Sequence, residues 1–330
     1  MTEKVSCNFC NKDDTKLLFA KKDKLGLSDD DFKVVQCKNC GLVYINPRPS
    51  EKEIAKFYPD TYSWKETLTA ESKFTKIIRK LEKFYRYHLL NYETSKVVKL
   101  APSKTGRLLD IGCGTGDRLD IFRRFGFDVY GVEISQSAEY AKNHLGLNVK
   151  QGDVFDAAYP DSFFDIITLH NVLEHTHNPQ KVITELKRIL KKDGIIAIQV
   201  PNINCIQYRL FKQRWAAIDV PRDLYYFNIP LLKKILLKEN LEVIKVDHSN
   251  NWWHPPTLVI TLFPELDPQK AWEKEKGKGN PAEKAALDIL DIIPGSVSHT
   301  GRLHRPGGNN NYIYKEVILN VSKFFRILIF

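Results

Sequence analysis

Arg107-Leu-Leu-Asp-Ile-Gly-Cys-Gly-Thr-Gly116 reads as a buried strand that feeds a glycine loop and opens a helix. Gly112, Gly114 and Gly116 let the backbone bend tightly and approach a ligand without a Cβ in the way, and the helix that follows offers unpaired N–H groups beside them. Asp110 adds a carboxylate near the strand end. The spacing is G-x-G-x-G, which is not the dinucleotide pattern G-x-G-x-x-G. Outward from the loop, Val129-Tyr-Gly-Val-Glu133 is a second strand ending in an acid, where a carboxylate can take both hydroxyls of a ribose. Val149-Lys-Gln-Gly-Asp153 supplies a third strand and Phe163-Phe-Asp-Ile-Ile-Thr-Leu-His170 a fourth. Together they predict an α/β fold built around a nucleotide-bearing cofactor.

With these four strands in order, residues 107 to about 200 resemble the core of a class I S-adenosylmethionine-dependent methyltransferase. The resemblance implies a Rossmann-like, seven-stranded sheet with helices on both faces. It implies that Gly112, Gly114 and Gly116, with Asp110 and the small Cys113 in the same loop, line the methionine part of S-adenosylmethionine. It places Glu133 on the ribose with Ile134 in the same site, Asp153 on the adenine amino group and Val154 beside the ring. His170 and Asn171, ending the fourth strand, match the position whose backbone faces the methionine moiety. Leu173-Glu-His175 is similar to a motif of the ubiquinone-biosynthesis-type O-methyltransferases.

Cysteine usage carries the second signal. Cys7-x-x-Cys10 and Cys37-x-x-Cys40 are two knuckles separated by 26 residues, a spacing suited to tetrahedral zinc in a small ribbon. In a reducing compartment disulfides are disfavoured, and a segment of about 45 residues has too little core to fold easily without a staple. Rubredoxin-like iron is the lesser alternative. Four thiolates fill the tetrahedron and leave no open position for water, so the expected role is structural. Cys113 and Cys205 stand apart. A ribbon ahead of such a core resembles bacterial methyltransferases of polysaccharide and cell-envelope biosynthesis.

The chain has 330 residues with 43% hydrophobic content, enough to bury a sizeable core. No stretch approaches the roughly 18 to 20 apolar residues that span a bilayer, and no apolar signal core follows Met1, so the expected address is cytoplasmic, with peripheral contact at the inner face of the membrane as a second reading. The formal net charge is +10. Residues 1–105 hold 21 Lys and Arg against 14 Asp and Glu, so the front third is the basic part. Lysines solvating helical faces explain this better than a dedicated nucleic-acid patch.

The expected organisation is a ribbon over 1–48, a helical linker with cofactor-covering helices over 49–104, the methyltransferase core over 105–250, and a lid, final strand and amphipathic tail over 251–330. Ser50 and Glu53 can form a capping box for a helix. Phe74, Ile77, Ile78, Leu81, Phe84, Tyr85, Leu89 and Tyr92 fall at helical spacing and predict a packed stripe. A helix from Asn178-Pro179 to Lys192 leads into a fifth strand, Ile195–Val200. The apolar run Leu258–Phe263, with Trp252 and Trp253 ahead of it, reads as a lid before a last antiparallel strand, completed by the first half of Tyr312–Phe330. Val317, Ile318, Val321, Phe324, Phe325 and Leu328 share one helical face that suits a membrane interface, although core packing has the stronger prior.

Methyl transfer asks the protein to align an acceptor with the methyl group and exclude water, with a His or carboxylate to remove a proton. His175 is the first candidate base, followed by Glu174, His170 and Asp223; capping or support of the strand end is an equal reading for Glu174 and His175. In the resembling enzymes a similar segment carries His at the place of Asp223, which weakens transfer of a base role to it. Arg222 can grip an acceptor phosphate or carboxylate, or pair with Asp219 or Asp223. The preferred function is methylation of a small or lipid-linked glycan acceptor, a sugar or sugar-nucleotide oxygen made for the cell envelope. A quinol O-methyltransferase and a module that binds or modifies RNA or protein are the alternatives; Phe9 and Tyr44 keep the RNA reading open. No oligomeric state is legible.

Overall fold

The computed structural model describes residues 2–58, 73–247, 255–264 and 325–329. The chain opens with a small all-β unit. β1 (Thr2–Glu3) pairs antiparallel with β5 (Arg48–Pro49), while β2 (Thr15–Lys22), β3 (Asp31–Cys37) and β4 (Val43–Ile45) form an antiparallel meander. A short helix α1 (Glu51–Ile54) follows. Ser50 stands at its N-cap, but its hydroxyl makes no capping bond; the Glu53 and Ile54 N–H groups donate to the Ser50 carbonyl, and Glu53 turns to Lys56 instead. The capping box therefore does not form.

The long helix α2 (Lys73–Leu100) leads to β6 (Arg107–Ile111), α3 (Asp117–Arg124), β7 (Asp128–Glu133), α4 (Ser137–Leu145), β8 (Asn148–Gln151) and β9 (Phe164–His170). Then come α5 (Pro179–Ile189), β10 (Leu190–Gln199), α6 (Ile206–Phe211), β11 (Tyr225–Tyr226), α7 (Ile229–Lys238), β12 (Leu241–Val246), α8 (Pro255–Leu262) and β13 (Phe325–Ile329). The large sheet has seven strands in the order β12-β13-β10-β9-β6-β7-β8. Every neighbouring pair is parallel. Strand order reverses between β6 and β9, so the crevice at their carboxyl ends is the switch point at which such sheets hold ligands.

Four sequence expectations change. The stripe on α2 is not packed throughout: Phe84 is 65% exposed and Tyr92 54% exposed, and burial concentrates on Glu93, Thr94 and Val97, where Glu93 holds Arg118 of α3 at 2.9 Å. α5 stops at Ile189 rather than Lys192, because Ser162 and Phe163 donate to the Arg188 and Ile189 carbonyls and draw the chain into β10. The sheet-completing strand is Phe325–Ile329 and runs parallel to both β10 and β12. With Ile327 buried in the core, these residues are not part of an amphipathic helix; an apolar run between two parallel strands is the usual interior-strand pattern. Trp252, Trp253 and residues 312–324 lie outside the described residues.

The β unit and the large sheet are not separate bodies. β11 adds to the free edge of β4, pairing Tyr225 with Tyr44 and Tyr226 with Val43, so the small sheet runs β11-β4-β3-β2. One apolar cluster joins Cys7, Cys37, Leu42 and Tyr44 to Leu169, Leu173, Leu224 and Leu232. The segment after β10 is thus folded into the N-terminal unit.

Candidate active site

The glycine loop turns where side chains could not. Gly112 has φ +68°, and a Cβ there would sit 2.4 Å from Val172 Cγ2; Gly116 has φ +83°, and its Cβ would meet Leu147 Cδ1 at 2.5 Å. Gly114, φ +54°, has nothing within 4 Å of its missing Cβ, so its backbone borders open space at the switch point. Glu133, at the tip of β7, ties the loops together: its Oε2 accepts from Gly114 N at 2.9 Å and its Oε1 from Ser135 N at 2.8 Å. Each oxygen keeps a further lone pair for a ligand hydroxyl. Ile134 beside it is 68% exposed, an apolar surface next to the carboxylate.

The other expected cofactor residues divide. Asp153 is exposed at the end of β8, with Oδ1 accepting from Phe155 N and Asp156 N at 2.8 Å, which leaves Oδ2 for another donor. Val154, in contrast, is buried in the core cluster, so its side chain is spent on packing. Asp110 lies inside the sheet: it accepts from Thr168 Oγ1 at 2.6 Å, and burial pushes its carboxyl up to about 6. The Cys113 thiol packs inward against Gly131, and burial raises it. Both residues support the loop from beneath. Asn171 adopts φ +53°, and its N–H donates to Gln199 O at 2.9 Å. His170 Nδ1 lies 2.8 Å from Gln199 Oε1. Burial, aided by the Arg118 charge, holds this imidazole well below the usual histidine range and keeps it neutral.

Beyond β9 the chain makes a single turn, Leu173–His175, and meets the segment 219–224. His175 Nδ1 is 3.0 Å from the Arg222 carbonyl and 3.2 Å from Asp223 Oδ1. A carbonyl can only accept, so Nδ1 donates and Nε2 is left as the lone-pair nitrogen of the neutral ring. Tyr58 lies edge-on to the imidazole, with ring centroids 6.4 Å apart. Glu174 is buried next to it, with no hydrogen-bond partner at Oε2 among the described residues. Burial pushes the Glu174 carboxyl up to about 8, and Asp223 is raised well above the carboxylate range for the same reason. Sequence reading nominated Glu174, His175 and Asp223 separately, and the fold brings them together; Tyr58 was missed, since a lone Tyr after a short helix carries no signal.

Arg222 is not an acceptor grip. Its side chain is 0% exposed, and its donors are taken by Asp23, Asp219 and the Phe57 carbonyl.

The raised Glu174 carboxyl has a consequence for stability. Between the ordinary carboxyl range and about pH 8 the folded chain holds this proton and the unfolded chain does not, so stability falls as pH rises, by about 1.4 kcal/mol per unit at most. Glu174→Gln, which cannot ionise, is expected to flatten this slope in denaturant titrations between pH 5 and pH 8; an unaltered slope would assign the pH dependence elsewhere.

The four knuckle cysteines converge as well. Their Sγ atoms all lie within 4.8 Å of one another, with Cys7 to Cys40 at 3.4 Å and Cys10 to Cys37 at 3.5 Å. These separations exceed a disulfide bond of about 2.05 Å and approach the edge of about 3.8 Å expected for four sulfurs on one ion at about 2.3 Å. The two knuckles repeat one pattern: Asn11 N donates to Cys7 O and Cys7 N to Lys12 O, as Gly41 N donates to Cys37 O and Cys37 N to Leu42 O. Asn11 and Gly41, at equivalent places, both have positive φ. Cys205 stands apart as the N-cap of α6, its sulfur accepting from Tyr208 N.

Comparison with known proteins agrees with this geometry. The uncharacterized protein MJ1123 of Methanocaldococcus jannaschii is 25% identical over 62% of the chain and 93% of its own length. The ubiquinone biosynthesis O-methyltransferase of Coxiella burnetii is 31% identical over 37% of the chain, and that of Glaesserella parasuis 34% over 38%. The chain spans 55% and 59% of the length of these two enzymes. Among solved structures, a SAM-dependent methyltransferase from Archaeoglobus fulgidus aligns with 49% of the chain and 73% of its own, at 23% identity and TM-score 0.42. Among the described residues no helix is long and apolar enough to cross a membrane. A model of the methyltransferase domain matches residues 82–246, half of the chain and the whole of the glycine loop, the Glu133 tip and the Glu174–His175–Asp223 cluster, and the chain belongs to this family of S-adenosylmethionine-dependent methyltransferases.

Proposed function

We propose that the chain methylates a hydroxyl oxygen of a small acceptor, with a sugar or sugar-nucleotide for the cell envelope as the first class and a lipid-linked glycan as its extension. The observation that carries the reading is His175, whose Nδ1 is engaged by Asp223 and the Arg222 carbonyl beside the switch-point crevice. A quinol acceptor is the second reading, favoured by the two relatives named for ubiquinone biosynthesis. When bound, S-adenosylmethionine supplies an electrophilic methyl group. Gly114 would give it room, Glu133 would hold the ribose hydroxyls, and Asp153 would hold the adenine amino group. His175 Nε2 receives the acceptor proton, and the Arg222 carbonyl and Asp223 Oδ1 hold Nδ1 of the ring that carries it.

We also assign zinc to Cys7, Cys10, Cys37 and Cys40. The four-sulfur donor set and its spacing support a closed, structural site that supplies no chemistry to the reaction.

The test of the cofactor reading is calorimetry with S-adenosylmethionine and S-adenosylhomocysteine. Micromolar saturation is expected. Glu133→Ala should weaken it about 100-fold or more, because two charge-assisted hydrogen bonds at about 1.5 kcal/mol or more each are lost. Absence of heat with folded protein would overturn the proposal. Transfer of labelled methyl to sugar nucleotides, polyprenyl-linked glycans and quinols then separates the acceptor classes.

A further inference from the structure

The segment that meets His175 is held by the N-terminal unit rather than by the sheet that forms the glycine loop. Arg222 Nη2 lies 2.5 Å from Asp23 Oδ1 and 2.6 Å from Asp219 Oδ1, and Arg222 Nη1 donates to Phe57 O at 3.0 Å. Asp23 sits in the connection between β2 and β3, where it also accepts from Leu25 N at 3.1 Å and Leu27 N at 3.0 Å. Its position is thus set by the ribbon backbone. Asp219 is shared with Lys24 of the same connection, at 3.5 Å. At the other end of the segment, Ile45 N donates to Leu224 O at 3.0 Å, and β11 pairs with β4, which follows directly from the Cys37–Cys40 knuckle. Both ends of 222–224 are therefore clamped to the four-cysteine unit, and between the clamps lie the Arg222 carbonyl and the Asp223 carboxylate.

We propose that Arg222 is a positioning residue: by gripping Asp23 across 199 positions of sequence it fixes the Arg222 carbonyl and Asp223 on His175 Nδ1, so that the ribbon sets the tautomer of the imidazole at the acceptor mouth. A neutral imidazole free in water favours the Nε2–H form; a ring whose Nδ1 faces the fixed Arg222 carbonyl, which can only accept, takes the Nδ1–H form and presents Nε2 as the base. The inference rests on the reading of His175 as the base, but its geometric core does not depend on a bound cofactor or an identified acceptor.

The experiment is the long-range 15N–1H spectrum of the imidazoles in the full chain at a pH where they are neutral, with the His175 signals assigned by their loss in His175→Gln. The unmodified chain should show His175 as Nδ1–H. Arg222→Met and, from the ribbon side, Asp23→Asn should shift it to a mixture of both tautomers, while S-adenosylhomocysteine affinity by calorimetry stays within about twofold. Removing Arg222 takes the guanidinium away from buried Asp23 and Asp219 and can cost the fold; Asp23→Asn, which keeps the Asp219 pair, then decides alone. An Nε2–H ring in the unmodified chain, or an unchanged spectrum in folded Asp23→Asn, overturns the proposal. So does loss of S-adenosylhomocysteine binding in the folded variant, which would mark a general defect. If the unmodified chain binds no S-adenosylhomocysteine, the methyltransferase reading fails and the tautomer result stands separately.

Discussion

Cys37→Ser is expected to empty the four-sulfur cluster and to strip hydrogen-exchange protection from β2, β3 and β4, with β6, β7 and β9 still protected. The expectation follows from size. The ribbon has three short strands and a modest share of the core, and a segment that small seldom folds on apolar burial alone. A structural zinc ion contributes roughly 10 to 16 kcal/mol of apparent binding energy in small domains, as much as the entire stability of many proteins. Cys37 is the most consequential ligand to lose: it ends β3, is buried in the joint core, and organises its knuckle through bonds to Leu42 and Gly41. Metal analysis should read one equivalent of zinc in the unmodified chain and none in the variant. Chelation should reproduce the loss of protection. Because among the described residues β11 pairs only with β4, and Tyr225 and Tyr226 lie immediately after the 222–224 segment, protection there should fall together with the ribbon. Retained protection of β3 and β4 in a metal-free sample would show that packing on the large sheet suffices, and the zinc assignment would lose its structural purpose.

What was legible in the sequence depended on how local each signal is. The glycine loop, the acid at the tip of β7 and the two Cys-x-x-Cys knuckles are written in runs of ten residues or fewer, where backbone freedom or ligand spacing leaves few alternatives. The contact of His175 with Asp223 spans 48 positions and depends on a chain reversal through β10 and α6, and the Arg222 to Asp23 bridge spans 199. No window contains both partners, so sequence reading could nominate the residues but not join them. Arg222 was left with two readings for a further reason: a surface guanidinium and a buried one look alike until their neighbours are known, and its burial against Asp219 and Asp23 selects the pairing reading. The terminal strand failed on period. Phe325–Ile329 has apolar residues at four of five places, a pattern that fits an interior strand and a helix face alike. The side chain of Val154 is buried in the core cluster, while Ile134 and Phe155 are the exposed apolar side chains nearest Glu133 and Asp153 in sequence, a difference of burial that local pattern does not carry.

His175→Ala is expected to lower methyl transfer by about 10²- to 10⁴-fold, the usual contribution of a positioned general base, with cofactor affinity unchanged. The two halves of the site explain the separation. Glu133, Gly114 and Asp153 stand on β7, the glycine loop and the end of β8, and none of them bonds to the 173–175 turn. His175 bonds instead to Arg222 and Asp223. Truncating it removes the proton acceptor and leaves the cofactor crevice intact, so turnover should fall while calorimetry with S-adenosylhomocysteine does not move. Asp223→Asn makes the sharper test. An amide keeps the shape, but it can face Nδ1 with its NH2 as readily as with its oxygen, so it holds the ring less firmly while Nε2 takes the proton. Turnover should drop less than for His175→Ala, by about 10- to 100-fold, and the pair should be strongly non-additive, because a partner for Nδ1 has nothing to hold once the imidazole is gone. A double variant no slower than His175→Ala alone is therefore the expected reading. Full additivity would mean that Asp223 acts on the acceptor directly, and near-normal turnover in His175→Ala would move proton removal to another group or leave it to solvent.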